Sequence, residues 1–400
     1  MLMSYSFGNE QINLEVLKNR AFNLRWAQVE NGVIPLTAAD PDFPTAPVIL
    51  DAIHQFVSEG YFSYCPSEGY LFFREAISNY FFQKRNYSVS PETILPVDSA
   101  AAGIAMVCKA TLEKGDEAIV FNPVDFLFKY CIENVGGVPI SLEVSINPEE
   151  EIDYEKLKAL ISSKTKMICL CNPLNPTGKV FNQQELIKIA QIAKENQLLI
   201  LSDEIWSDIV FEPHQFYSMG SINQEISEMT ITVHGFSKSF GLAGLRVGCV
   251  ATSNRALFKK IFAASLHDST VHGCNALGQV AASAALTHAQ PWLNDFVRHL
   301  QKMRDFCISQ IEEMPNISCY TPQGCYLLFC NISGNGLSST DLQQKMLINA
   351  KVAVVPGLPK WFGTAAEGYI RICFSTSEEV LKEAFHRMKP FFQNLQKISK

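Results

Sequence analysis

Lys238 stands among small residues in the run Gly235-Phe236-Ser237-Lys238-Ser239-Phe240-Gly241-Leu242-Ala243-Gly244-Leu245-Arg246-Val247-Gly248, with Arg246 eight positions after it. A lysine amine that must attack a carbonyl carbon and form a Schiff base needs uncrowded backbone and a partly desolvated site, where the neutral amine is accessible. An arginine nearby suits a phosphate, because a planar guanidinium makes paired charge-assisted hydrogen bonds to phosphate oxygens. A lone lysine on a Gly/Ser-rich turn is ordinarily a surface residue, so it is the spacing that points to chemistry here.

Other residues extend that chemistry. Asp203 closes the apolar run Leu198 to Ser202; a carboxylate at the end of a buried strand can keep a ring nitrogen protonated, although it can also serve as an N-cap. Asn172-Pro173-Leu174-Asn175-Pro176-Thr177-Gly178 follows another apolar run and reads locally as a turn. One of its X-Pro bonds is a candidate for the cis form. Pro96 to Ile104 passes from a strand-like stretch into a helix of small residues, and the helix start at Ser99, Ala100 and Ala101 offers free N–H groups to a phosphate. Arg371, in Tyr369-Ile370-Arg371-Ile372-Cys373-Phe374-Ser375, can take a carboxylate with two parallel hydrogen bonds. An ordinary ion pair on a strand is its other reading.

Taken together, these segments resemble the class I/II (fold type I) pyridoxal-phosphate-dependent aminotransferases. The likeness runs from Ala39-Asp40-Pro41-Asp42-Phe43-Pro44 through most of the chain. It implies pyridoxal 5′-phosphate bound through Lys238, with Asp203 on the pyridine nitrogen, Asn175 on the phenolic oxygen, the phosphate held by Ser99, Ala100, Ala101 and Arg246, and Ser237 also touching the cofactor. Arg371 then takes the substrate α-carboxylate. Tyr64-Cys65-Pro66-Ser67-Glu68-Gly69 followed by Arg74-Glu75-Ala76-Ile77 resembles the element whose tyrosine reaches the partner's cofactor phosphate, which implies a homodimer with its sites at the subunit interface. Two positions depart from the pattern. Trp206 replaces the usual tyrosine three places after the aspartate, and indole donates without accepting. Asp125 occupies the place of the stacking aromatic, so Phe126 is expected to take over the ring contact through a one-residue shift.

The implied reaction is transamination between an amino acid and a 2-oxo acid, with Lys238 as general base and Asp203 sustaining the electron sink. A second branch, the cystathionine β-lyase-like C-S lyases, shares the carbanion step. Its likeness lies in Ala39-Asp40-Pro41-Asp42-Phe43, Ser202 to Ile209, and Pro322 to Leu327. Ser239 to Arg246 leans to the aminotransferases. A catalytically weak cofactor-binding or sensing protein is the reading from another class. A regulator of that kind would need an added DNA-binding domain, for which the chain has no room before its arm.

Positioning such residues requires a framework, and the sequence supplies one. Ala118–Phe121, Lys166–Leu170, Leu198–Leu201, Thr230–Val233 and Val247–Val250 read as strands. They alternate with helical stretches such as 182–196, the pattern of a mostly parallel sheet between helices, and ligands of such sheets sit beyond the carboxyl ends of the strands. The fold-type resemblance adds a smaller α+β domain: an N-terminal arm and part of the small domain over residues 1–46, a large cofactor-binding domain over 47–285 and the small C-terminal domain over 286–400. With 400 residues and 47% hydrophobic content the chain can build both cores. A net charge of −7 argues against a nucleic-acid partner. No charged leader with an apolar core and no run of membrane-spanning length is evident, so a cytoplasmic location is expected. The twelve cysteines lack the spacing of a disulfide framework and read as small buried hydrophobes. Cys169 and Cys171 share one strand face, but further ligands at suitable spacing are missing, and no metal is expected.

Overall fold

The computed structural model describes residues 4–398, with side chains described through residue 395. Its strands are β1 (Ile34–Pro35), β2 (Ile94–Val97), β3 (Glu117–Asn122), β4 (Val138–Glu143), β5 (Thr165–Cys171), β6 (Leu199–Asp203), β7 (Thr230–Gly235), β8 (Gly248–Ala251), β9 (Ser318–Cys319), β10 (Leu327–Asn331), β11 (Val352–Ala353), β12 (Val355–Pro356) and β13 (Tyr369–Cys373). Seven of them form one sheet in the order β2-β8-β7-β6-β5-β3-β4. From β4 to β7 all pairs are parallel, and β8 alone is reversed against both its neighbours. The aliphatic runs form strands because helices cover both sheet faces: every residue of β5 except Lys166 is buried.

The crossover helices carry their own start signals. Asn182 caps Gln183–Glu195, accepting from the Gln184 and Glu185 amides while the Glu185 carboxylate accepts from the Asn182 amide at 2.9 Å. Ser99 caps Ala100–Thr111 by accepting from the Ala102 amide at 3.1 Å. Helices Pro47–Ser58 and Leu71–Arg85 pack on Ala276–His288, whose Ala281, Ala282 and Ala285 are buried and permit close approach.

A second, four-stranded antiparallel sheet runs β12-β13-β10-β9, next to helices Ser339–Ala350 and Glu378–Ile398. The 23-residue helix Gln290–Glu312 turns Trp292, Phe296, Leu300, Met303 and Cys307 into the shared core. The N-terminal segment is tied to this second sheet. β1 pairs in parallel with β11, the Cys373 amide donates to the Leu36 carbonyl at 3.0 Å, and the Asp42 amide donates to the Ser375 carbonyl at 3.0 Å. All twelve cysteines are free and ten of them are buried. Among the described residues no helix is long and apolar enough to cross a membrane, and no group of three His, Cys, Asp or Glu side chains is placed to hold a metal ion.

Candidate active site

β5, β6 and β7 end side by side, with Cys171 opposite Asp203 and Asp203 opposite Val233. The chain leaves those ends into the three segments whose residue types suggested chemistry. After β5 comes Asn172 to Gly178. Gly178 sits at φ +73°, where a Cβ would fall 2.4 Å from the Pro322 side chain, so only glycine lets the turn dock on 322–324. There the amides of Gln323 and Gly324 donate to the Gly178 carbonyl at 3.0 and 2.9 Å. The Asn172–Pro173 and Asn175–Pro176 bonds are both cis. After β7 the short helix Ser237–Phe240 carries Lys238 and is closed by Gly241 at φ +68°. A tight turn then puts Arg246 at φ +50°.

These segments line one cavity of about 470 Å³. Of the residues expected at the site, Ser99, Ala100, Ala101, Phe126, Asn175, Asp203, Trp206, Ser237, Lys238, Arg246 and Arg371 border it; Tyr64 does not. Tyr64 is 86% exposed, its ring 5.3 Å from that of His272.

The Lys238 Nζ donates to the Ala39 carbonyl at 2.6 Å, and the Tyr326 hydroxyl donates to the same oxygen at 3.3 Å. Burial lowers the Lys238 ammonium from its ordinary range; Asp40 opposes the shift and Arg371 adds to it. Trp206 is buried, with its ring centre 5.5 Å from the Lys238 Nζ and edge-on to Tyr326 at 4.7 Å. Burial pushes the Asp203 carboxyl up to about 7, against the Ile205 amide that donates to it at 3.1 Å, with Asp125 and Glu204 reinforcing the rise.

Arg371 rises from β13 and is buried. One amino group donates to the Asn175 Oδ1 at 3.1 Å and the other lies 3.5 Å from the Thr37 carbonyl, while its Nε has no partner. The Asn175 amide in turn donates to the Asp125 Oδ2 at 3.1 Å, so the residue standing where an aromatic was expected holds Asn175 in orientation. Phe126, 43% exposed, faces the same cavity from the next position. On the same cavity wall, the Arg246 guanidinium has no partner among the described residues. Gly248 brings β8 against the start of helix Ala100–Thr111: a Cβ there would lie 3.1 Å from the Ala100 amide nitrogen.

Several participants escaped sequence reasoning. Ala39 and Asp40 lie in a stretch flagged only by resemblance, and Asp125 figured only as a departure. Leu24, Val355, Trp361 and Phe362 also border the cavity, and no spacing signal in the sequence marks them. Behind the site lies a buried network around Arg85. Its guanidinium meets the Glu204 Oε2 at 3.1 Å and the Asp208 Oδ1 at 3.3 Å, and its Cζ stands 4.5 Å from the Phe81 ring centre. The Ser239 hydroxyl, next to Lys238, donates to the Asp208 Oδ2 at 2.7 Å.

Residues 31–388 match the family described as Aminotransferase class I and II. Aspartate aminotransferase of Pyrococcus abyssi is 31% identical over 89% of this chain and 91% of its own length. Cystathionine beta-lyase PatB of Bacillus subtilis is 28% identical over 89% and 92%. The crystal structure of aromatic aminotransferase from Pyrococcus horikoshii OT3 superposes with a TM-score of 0.85 at 29% identity, covering 92% of this chain and 98% of that one.

Proposed function

The chain belongs to the class I and II aminotransferases and is a pyridoxal-phosphate-dependent enzyme, and from that premise we propose how its own residues divide the work. One observation carries the assignment: Lys238, Asp203, Asn175, Arg246 and Arg371, from four separate segments, converge on a single cavity.

The residues present fit pyridoxal 5′-phosphate. An unpartnered arginine and the start of helix Ala100–Thr111 border the cavity, and the Ser99 and Ser237 hydroxyls add donors suited to a phosphate. At the last residue of β6 the buried Asp203 carboxylate accepts a single hydrogen bond and would suit a cationic partner. When bound, the cofactor supplies an electron sink for the pair released at the substrate Cα. Asp203 keeps a ring nitrogen protonated, and in doing so regains the charge that burial discourages. Asn175, with one amide hydrogen on Asp125, would offer the other to the phenolic oxygen, and Phe126 and Trp206 border the same cavity.

Lys238 Nζ takes the Cα proton. Its lowered affinity for protons leaves more of the neutral amine at physiological pH. Arg371 holds the substrate α-carboxylate, using donors that already converge on the cavity, and thereby fixes which Cα bond faces Lys238. Tyr64, exposed and outside its own cavity, serves the site of a second copy, which makes the enzyme a homodimer. Its place of work is the cytoplasm. In this reading residues 1–46 form an arm joined to the small domain, 47–285 the cofactor-binding domain and 286–400 the small domain.

The test is a half-reaction in which cofactor-loaded enzyme is mixed with an amino acid and the 2-oxo acid product is measured. Lys238→Ala should slow it by about 10⁴-fold or more. An unchanged rate would remove Lys238 from the role of base. The β-lyase relative makes a second product channel worth measuring in the same mixture: pyruvate, ammonia and thiol from cystathionine, with no amino-form cofactor, would assign elimination instead.

A further inference from the structure

We propose that the amino-acid substrate of this enzyme carries a neutral, apolar side chain, seated against Leu24, Val355, Trp361 and Phe362. The proposal rests on the assignment of roles above and extends it to substrate class.

Charge accounting carries the first half. Among the described residues the cavity wall holds three cations, Lys238, Arg246 and Arg371. Each already has a task in the site: proton transfer, phosphate, and α-carboxylate. No cation of this chain is left for a carboxylate on the substrate side chain. The wall also holds three carboxylates, Asp98, Asp125 and Asp203. On this chain's part of the site a second substrate carboxylate would meet no free cation and would face like charge, both of which disfavour it. A cationic side chain fails for a different reason. Asp203 is committed to the ring nitrogen, Asp125 accepts from Asn175, and Asp98, which accepts from the Cys274 thiol at 3.5 Å, precedes Ser99 at the phosphate side rather than the wall beside Arg371.

The wall next to Arg371 carries the second half. Phe362 is buried, its ring centre 5.2 Å from the Arg371 Cζ and 5.9 Å from the ring of Phe329. Leu24 comes from the far end of the chain and is held in place. Asn23 and Leu24 sit at φ +62° and +65°, conformations disfavoured for side-chain-bearing residues. The next two residues are anchored beneath them: Arg25 is ion-paired with Asp42 and donates to the Pro35 carbonyl at 2.9 Å, and the Trp26 Nε1 donates to Asp42 at 2.8 Å. Leu24, half exposed, thus stands at the rim of the cavity on a backbone fixed by its neighbours. Leu24, Val355 and Trp361 also border an adjoining cavity of about 470 Å³, so a long aliphatic or aromatic side chain has somewhere to extend. The lysine of that second cavity, Lys351, is exposed and lies 3.8 Å from Glu30.

Binding of α-methyl amino acids, which have no Cα proton to lose, tests this with the holoenzyme in a calorimeter. 2-Aminoisobutyrate serves as the reference for the α-amine and α-carboxylate contacts alone. α-Methylphenylalanine and α-methylleucine should bind at least about tenfold tighter than the reference, and α-methylaspartate no tighter than it. Trp361→Ala and Leu24→Ala should each narrow the phenylalanine-to-reference ratio about threefold to tenfold, and Trp361→Phe should restore most of it. If the reference binds but α-methylaspartate or α-methyllysine equals or exceeds the apolar ligands, the substrate class is wrong while the site assignment stands. If no member of the panel binds, reference included, the site assignment falls and this proposal with it.

Discussion

At the scale of single residues, burial without a counter-charge is the theme of the site. Asp203 is the sharpest case, pushed from an ordinary 3.8 to about 7 by desolvation. In the cofactor-free protein it therefore keeps its proton between those values, where the unfolded chain has lost its own. The stability this provides is complete below about pH 4 and is lost as the pH rises through 7, by up to about 4 kcal/mol. His234, which burial and Arg85 hold down at about 4, works in the opposite sense; its contribution is present above pH 6.5 and is lost on acidification. Comparing Asp203→Asn with the parent cancels the histidine. The cofactor-free variant should gain on the parent as pH goes from 4 to 8, read as the difference in urea midpoints, while its loaded form loses at least about a hundredfold in transamination rate. A pH-independent difference would mean that Asp203 titrates in its ordinary range. The local signals for Lys238, Asp203, Asn175, Arg246 and Arg371 were legible because each sits at a strand end, a turn or a strand whose composition announces it. Leu24 and Phe362 carried no such signal, since nothing local distinguishes them from core.

At the scale of elements, the Arg85 network joins helix Leu71–Arg85 to the loop after β6, to β7 and to the helix bearing Lys238. Asp208 accepts from the Tyr80 hydroxyl and the Ser239 hydroxyl, each at 2.7 Å. Burial pulls its carboxyl upward, but Arg85, His234 and those hydroxyls outweigh it and hold it below the usual range. Glu204 accepts from the hydroxyls of Ser202 and Ser218 at 3.0 and 2.7 Å. Arg85→Met would leave both carboxylates buried without their cation, and such orphaned charge costs about 3–5 kcal/mol. A fall of that size in unfolding free energy by urea titration is expected. A loss under about 1 kcal/mol would show that solvent reaches the pair.

At the scale of the molecule, the proposed dimer would bring Tyr64 of a second copy to the cavity. Tyr64 is exposed beside Tyr61 and Phe62, at 80% and 65%, an aromatic patch of the kind that partners cover. Sedimentation equilibrium should give twice the 44.6 kDa chain mass. Within that dimer Tyr64→Phe should weaken cofactor retention about tenfold with the mass unchanged. Retention equal to the parent would detach Tyr64 from the neighbouring site.

What could be read along the chain was whatever local stereochemistry dictates. Alternating aliphatic runs and capped helices give the parallel sheet; Gly178 and Gly241 give the turns; the chemistry proposed for Lys238 and Arg246 was suggested by their eight-residue spacing. What the chain alone could not disclose were meetings across hundreds of residues. The pairing of β1 with β11 carries Leu24 to the cavity, and the approach of β13 to the turn after β5 joins Arg371 to Asn175 and Asp125. Those contacts, and the desolvation that moves Asp203 and Lys238 from their ordinary proton affinities, exist only when distant segments exclude water together.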